Sequence, residues 1–303
     1  MEKLFSMSSR FTGHQGSVYS LIRGEGNSFY TGSGDKLVVK WNADMPDEGE
    51  VVARASDAVY GLLLLKEENI LLVGQAGGGI HIISLNERAE KRLLKITHTS
   101  IFSMELSPDG KFIFVLTGDG SFYVLERGTL NQLANVKISS SKVRCMIFNA
   151  DASKAYFGCG EGAVQEINMN GFSFGKRWQA HQQGFSVNAL TLTPENDFIL
   201  TGSRDAHINK YSLSNYKLVQ SVPAHNYAIY DLAFNGDASM LASASRDKTV
   251  KIWDPESLEV MIRLEKQEAD GHVNSVNKLL WLNNTDLLSA GDDRSIALWK
   301  MSV

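Results

Sequence analysis

The sequence predicts an all-β chain: seven four-stranded antiparallel units stacked side by side and closed radially around a channel. Three observations carry this. A large apolar or aromatic residue closes an alternating segment at Trp41, Ile83, Leu125, Ile167, Tyr211, Trp253 and Trp299, about every 42 to 46 residues, and self-similarity at such a period marks a repeat architecture. A second anchor, apolar-x-small-apolar, moves in step, as in Val18-Tyr19-Ser20-Leu21, Val59-Tyr60-Gly61-Leu62 and Val187-Asn188-Ala189-Leu190. Within each unit the hydrophobic period is two, the signal of a strand, and no apolar pattern of period 3.6 lasts long enough for a helix.

The sixth unit shows its elements most clearly. Residues 229–234, 240–245, 249–254 and 259–264 alternate as four strands, separated by Asn235-Gly236-Asp237, Arg246-Asp247-Lys248 and Pro255-Glu256-Ser257, all turn chemistry. Such a unit cannot bury both faces alone, so the units stack, and a ring leaves only short protected edges. At the end of the chain only Lys300-Met301-Ser302-Val303 follow Trp299, too few for an outer strand, while Lys3 to Phe11 precede the first unit without a partner. The N-terminal segment is therefore expected to supply the outer strand of the last unit and close the ring. Seven units use essentially all of residues 1–303, which predicts a single domain.

Composition agrees and excludes several classes. With 43% hydrophobic residues, 21% charged residues and 5 prolines among 303, the chain is a folded one, and a globule of about 300 residues buries roughly three quarters of its unfolded surface. Cys145 and Cys159 can form neither a disulfide framework nor a four-cysteine zinc site, so a reducing compartment is expected. The first ten residues lack the apolar core of a signal peptide, and the run from Ala58 to Leu65 is far short of the roughly 18 residues a membrane helix needs. A soluble, cytoplasmic protein without a membrane partner is expected. Thirty Lys and Arg against 34 Asp and Glu give a net charge of −4, which argues against nucleic acid as the main ligand.

The repeats also align His, Ser or Thr, and Asp. His225, Ser243 and Asp247 have the residue types of a hydrolase triad, yet the same set returns as His14, Thr31, Asp35, as His181, Thr201, Asp205, and as His272, Ser289, Asp293. An enzyme needs one such set, not four. At these residues, and above all at Ala224-His225 and Leu241 to Asp254 with its Trp253-Asp254 pair, the sequence resembles the WD-repeat β-propeller family over essentially the whole chain. The resemblance implies a seven-bladed propeller in which each set, with Trp41, Tyr211, Trp253 or Trp299, forms a structural hydrogen-bonded tetrad tying the loop that leads into a blade to its second and third strands. Units two to four depart from the pattern, with Gly77 and Glu161 where Asp is expected in units two and four and the lead-in His missing from unit two.

Other chemistry finds little support. The glycines of Gly74 to Gly79 and Gly158 to Gly162 fall at turns between second and third strands, where positive φ explains them, and no helix follows to hold a phosphate. The seven His are scattered without metal-ligand spacing, so no metal and no cofactor is expected, and Asn283-Asn284-Thr285 reads as a turn. Asp231 is the one acid near the channel end of an inner strand, where a propeller hydrolase or lactonase, the alternative reading, would place several.

Function is therefore expected on a surface. In the resembling family the residue after the first apolar residue of each inner strand projects at the top of the channel, which here gives Tyr19, Tyr60, Phe102, Arg144, Asn188, Tyr230 and Asn277. Arg204, Arg246 and Asp292 precede the turn carboxylates and flank them. Four aromatics and an Arg in seven slots is the composition of an interface hot spot. The expectation is a non-catalytic scaffold that binds a peptide or protein partner, aromatic on one side and basic on the other. Trp178 is expected as an exposed outer-strand aromatic making a secondary contact, and Trp281 as core.

Overall fold

Each run of alternating residues becomes one strand of a four-stranded antiparallel sheet, and seven such sheets, the blades of a propeller, make up the described chain. The computed structural model describes residues 5–301. It divides into two compact units, Met1–Ile96 with Tyr230–Val303, and Thr97–Ile229. The first holds blades one, two and seven and most of six; the second holds blades three to five. Blade one illustrates the order: an inner strand Val18–Arg23, a second Ser28–Ser33, a third Leu37–Asn42 and an outer Met45–Arg54, hydrogen-bonded in sequence. The second strand is buried nearly throughout because both of its faces are covered by neighbouring blades, while the outer strand is mostly exposed.

Apolar side chains from facing blades fill the space between sheets. In the first unit Phe11, Val18, Phe29 and Trp41 pack with Leu288, Ile296 and Leu298 of blade seven. In the second, Phe114, Phe122, Phe157 and Val143 pack together, with the Phe122 and Phe157 rings stacked at 4.7 Å. Burying each such aromatic contributes about 1.5–3 kcal/mol, so the blade interfaces dominate stability.

The seventh sheet takes its outer strand from the N-terminus. Phe5–Phe11 pairs antiparallel with Ile296–Met301, Phe5 opposite Met301 and Phe11 opposite Ile296. Lys3, expected at the start of this strand, lies outside the described residues. Phe5 and Phe11 are buried, and the Arg10 guanidinium donates to Ser295 Oγ at 2.8 Å and to the carbonyls of Asp270 and Gly271. A single helical turn, Lys266–Ala269, absorbs the extra residues leading into blade seven and ends at Asp270 in the left-handed conformation.

Among the described residues, the inner strands of blades one to five and seven carry the same irregularity. The register slips between Val18 and Ser20, Val59 and Gly61, Ile101 and Ser103, Val143 and Cys145, Val187 and Ala189, and Val276 and Lys278. One residue is left out of the ladder at each, the mark of a β-bulge, which bends the strand and redirects a side chain. In blade one the small residue after the bulge has a packing cause: a Cβ added to Gly32 would lie 2.4 Å from both Ser20 Oγ and Val59 Cγ1. The sheet has no room there for bulk from either strand.

Candidate functional site

The residues skipped by these six bulges are Tyr19, Tyr60, Phe102, Arg144, Asn188 and Asn277, the positions at which the sequence places a binding surface. All six, with Tyr230, are partly buried. The bulges lie at the ends of the blades that carry the turns between second and third strands, here the top. The turn backbone meets the residue before the inner strand, with Gly34 N–H donating to the Ser17 carbonyl at 2.8 Å, Gly160 to Lys142 at 2.8 Å and Arg204 to Ser186 at 3.0 Å.

In the first unit the Tyr19 and Tyr60 rings touch at 4.8 Å between centroids, tilted by 53°. Asn277 donates through Nδ2 to the Val18 carbonyl at 2.9 Å and to Asp292 Oδ1 at 2.8 Å, so this amide ties blade seven to blade one. Arg246 is exposed. Asp231 accepts from the Leu279 N–H at 3.0 Å and lies 3.7 Å from Lys278 Nζ; it is engaged in joining two inner strands.

In the second unit the Arg144 guanidinium lies 4.2 Å from the centre of the Phe102 ring, a cation–π arrangement that also fixes the direction of the fork. Arg204, exposed, lies 6.0 Å from the Phe185 ring. Asn188 donates to the Ile229 carbonyl at 2.8 Å. Lys142 joins this group: burial first, then the positive charges of Arg144 and Arg204, lower its pKa from the usual lysine range. Sequence reasoning passed over Lys142 although a signal existed. The slot before the inner strand holds Ser17, Ala58, Ser100, Ser186, Ala228 and Ser275 in the other blades, and Lys142 is its one large occupant.

The His-containing sets lie below this surface. His14 Nδ1 is 2.9 Å from Asp35 Oδ2 and its Nε2 is 2.8 Å from Thr31 Oγ1, which accepts from Trp41 Nε1–H at 2.8 Å. His272, Asp293, Ser289 and Trp299 repeat this geometry, and in blade six Trp253 Nε1–H donates to Ser243 Oγ at 2.8 Å. A carboxylate can only accept, so with a neutral imidazole Nδ1 carries the proton and the hydroxyl donates to Nε2. Thr31, Thr201, Ser243 and Ser289 are all 0% exposed. A nucleophile must meet its substrate, and these hydroxyls meet only protein; the networks satisfy buried polar groups.

Blade five differs in one member. His181 contacts Thr201 at 2.7 Å and Asp205 at 3.0 Å, but the Tyr211 hydroxyl donates to the Ala180 carbonyl at 2.8 Å rather than to Thr201. A phenol places its donor farther from the ring than an indole does, and it reaches past the threonine to the lead-in loop.

Blades without the full pattern satisfy the same loops by other means. In blade two Gln75 Oε1 accepts from Ser56 N–H, Ser56 Oγ and His81 Nε2 at 2.9–3.1 Å, so a His from the third strand supports the loop in place of one within it. In blade four Glu161 accepts from Ser139 Oγ and from Arg177. The left-handed turn residue is Gly78, Gly120 or Gly162 in these blades, and Lys36, Ala206, Lys248 or Arg294 in the others. Burial pushes the Cys159 thiol up to about 11, which leaves it unreactive at neutral pH.

Trp178 is not an exposed contact. It is 9% exposed and packs against Tyr216 at 5.2 Å and Tyr211 at 6.1 Å. A bulge opposite Glu166 shifts the parity of its strand, so Phe174, on the same sequence parity, is 58% exposed while Trp178 faces the core. Trp281 is buried and donates to the Ala233 carbonyl at 3.0 Å, and Asn283 caps a bend by accepting from the N–H groups of Thr285 and Asp286. Among the described residues no group of three or more His, Cys, Asp or Glu is placed to hold a metal, and no helix is long and apolar enough to cross a membrane.

Seven four-stranded blades, His–hydroxyl–Trp networks and an inner-strand bulge in each of six blades define a propeller of the WD-repeat class. The WD domain, G-beta repeat family matches residues 5–42, 172–212, 216–254 and 265–300, and the chain belongs to that family. It is similar to WD repeat-containing protein 55 of Rattus norvegicus, 24% identical over 78% of this chain and 62% of the rat protein. An uncharacterized WD repeat-containing protein of Schizosaccharomyces pombe is 25% identical over 96% of this chain and 69% of its own length. The crystal structure of the WD40 β-propeller domain of Doa1 superposes with a TM-score of 0.85 at 15% identity, covering 98% of this chain and 97% of that one, which shows a shared fold. The chain thus spans under two thirds of the rat relative's length.

Proposed function

We propose that the protein is a non-catalytic interaction scaffold in the cytoplasm that holds a peptide segment or protein partner on its top face. The observation that supports this most is the inner-strand bulge: at six blades the backbone leaves its ladder at the residue that the sequence places on the top face. A bulge sacrifices ladder pairing, and bulges recur where a side chain is redirected for a task. In the first unit the residues offered are Tyr19, Tyr60, Tyr230, Asn277 and Arg246; in the second, Phe102, Arg144, Asn188 and Arg204. Partly buried aromatics lose little side-chain entropy on binding, and aromatic and Arg side chains dominate interface energetics. Asn188 and Asn277, whose amides are tied to backbone carbonyls, act as spacers that fix the surface. The buried hydroxyls and the engagement of Asp231 support a site without catalysis.

Affinity capture on the wild-type chain and the Tyr60→Ala, Arg204→Ala double variant tests the reading, with exposed Phe174→Ala on an outer strand as control. Partners captured by wild type and the control but lost in the double variant, with all three proteins melting alike, are expected. Retention of every partner by the double variant would place binding elsewhere.

A further inference from the structure

Lys142, Arg144 and Arg204 form a basic cluster on the top of blades four and five. Lys142 and Arg144 flank Val143 at the start of one inner strand, and Arg204 lies in the turn of the adjacent blade, its backbone held by Ser186. The inner strands of these two blades pack against each other. The nearby carboxylates are engaged: Glu161 with Arg177 and Ser139, and Asp205 with His181. The charges that act on Lys142 are those of the two arginines, of its own sign. Every other blade keeps a small residue in the slot of Lys142, so the cluster is added to the repeat rather than inherent in it.

We propose that Lys142, Arg144 and Arg204 bind a phosphorylated serine or threonine of the peptide segment held on this face, a proposal that rests on the reading of the face as a partner-binding surface. Charge complementarity selects the ligand. A phosphomonoester carries a charge of about −1.5 to −2 and three acceptor oxygens, against one charge and two oxygens for a carboxylate. Two guanidinium forks and an ammonium match the former in charge and donor number. The Phe102 ring lies 4.2 Å from the Arg144 guanidinium and holds it at this place on the surface. A nucleic acid fits less well. The cluster is confined to three residues on a chain of net charge −4, and Phe102, which could stack on a base, is already covered by Arg144.

The test uses fluorescein-labelled peptide pools of randomised sequence with a fixed central phosphothreonine, threonine or glutamate, titrated against the full chain by fluorescence anisotropy. A thymidine oligonucleotide serves as the nucleic-acid arm. The phosphothreonine pool is expected to bind at least about tenfold more tightly than the threonine pool, because hydrogen bonds between charged groups are much the stronger kind. Inorganic phosphate should compete with it. Lys142→Ser, which restores the residue type of the other blades, and Arg204→Gln at an exposed site should each remove the preference without lowering the melting temperature. Equal binding of the phosphothreonine and threonine pools, lost in Tyr60→Ala, would overturn the phosphate assignment and leave the partner-binding face standing. Absence of binding by any pool, together with partner capture indifferent to the face variants, would remove both. A preference that survives in both charge variants, or an oligonucleotide bound as tightly as the phosphothreonine pool, would also overturn the proposal.

Discussion

Asp293 shows how a single side chain holds a blade together. Burial pushes its carboxyl upward, but the hydrogen bond and charge of His272, with donors from Ser295 and the Val273 N–H, outweigh burial and hold it at about 2. Asp35 and Asp205 are lowered by the same kinds of partner. A carboxyl whose pKa is depressed by folding adds stability that is complete above its unfolded value, near 4, and is lost as the pH falls through the folded one. Asp293→Asn is therefore expected to cost about 1–3 kcal/mol at neutral pH. In urea titrations the gap between wild type and variant should narrow as the pH falls from about 5 toward 2; a gap constant across that range would show that the ionised carboxylate is not what the variant loses. At this scale the sequence was partly legible. The bulged positions could be read because a small residue follows most of them, Ser20, Gly61, Ser103, Cys145 and Ala189, and the His–hydroxyl–Trp sets because they recur. Tyr211 and Trp178 could not be placed: one depends on the reach of a phenol, the other on an outer-strand bulge that inverts parity.

Among the elements, the N-terminal strand has the largest consequence for its length. Phe5–Phe11 covers the edge of Ile296–Met301 and inserts Phe5 and Phe11 into two different interfaces, one beside Trp281 and Trp299, the other beside Phe29 and Trp41. Two buried phenylalanines contribute on the order of 3–6 kcal/mol, a large share of the roughly 5–15 kcal/mol that holds a typical domain folded. Deleting residues 1–11 is accordingly expected to lower the melting temperature by many degrees and to expose a strand edge prone to association. An unchanged melting curve, followed by calorimetry, would contradict the closure. The strands themselves were legible almost to the residue, since a period of two with turn residues between leaves little freedom. The one-turn helix Lys266–Ala269 was visible only as extra length, because four residues carry no periodicity.

At the scale of the molecule, the repeat fixes the fold while departures from the repeat point to function. Blades two and four replace the shared network with Gln75 and His81 or with Glu161 and Arg177, so their lead-in loops are held without the sequence signature. The same comparison across blades isolates Lys142, whose neighbours in space, Arg144 and Arg204, sequence order alone had not brought to it. The number of blades was written in the period; the ligand was not, because an interface is a set of side chains from different repeats that only folding brings together. The most direct measurement is hydrogen exchange on the full chain with and without its captured partner. Protection is expected around residues 17–20, 58–61, 142–145 and 203–206 at the top of the blades, with none on the outer strands Ala89–Lys95 and Ser173–Gln179. Protection confined to those outer strands, with the top unchanged, would contradict the assignment of the top face as the binding surface.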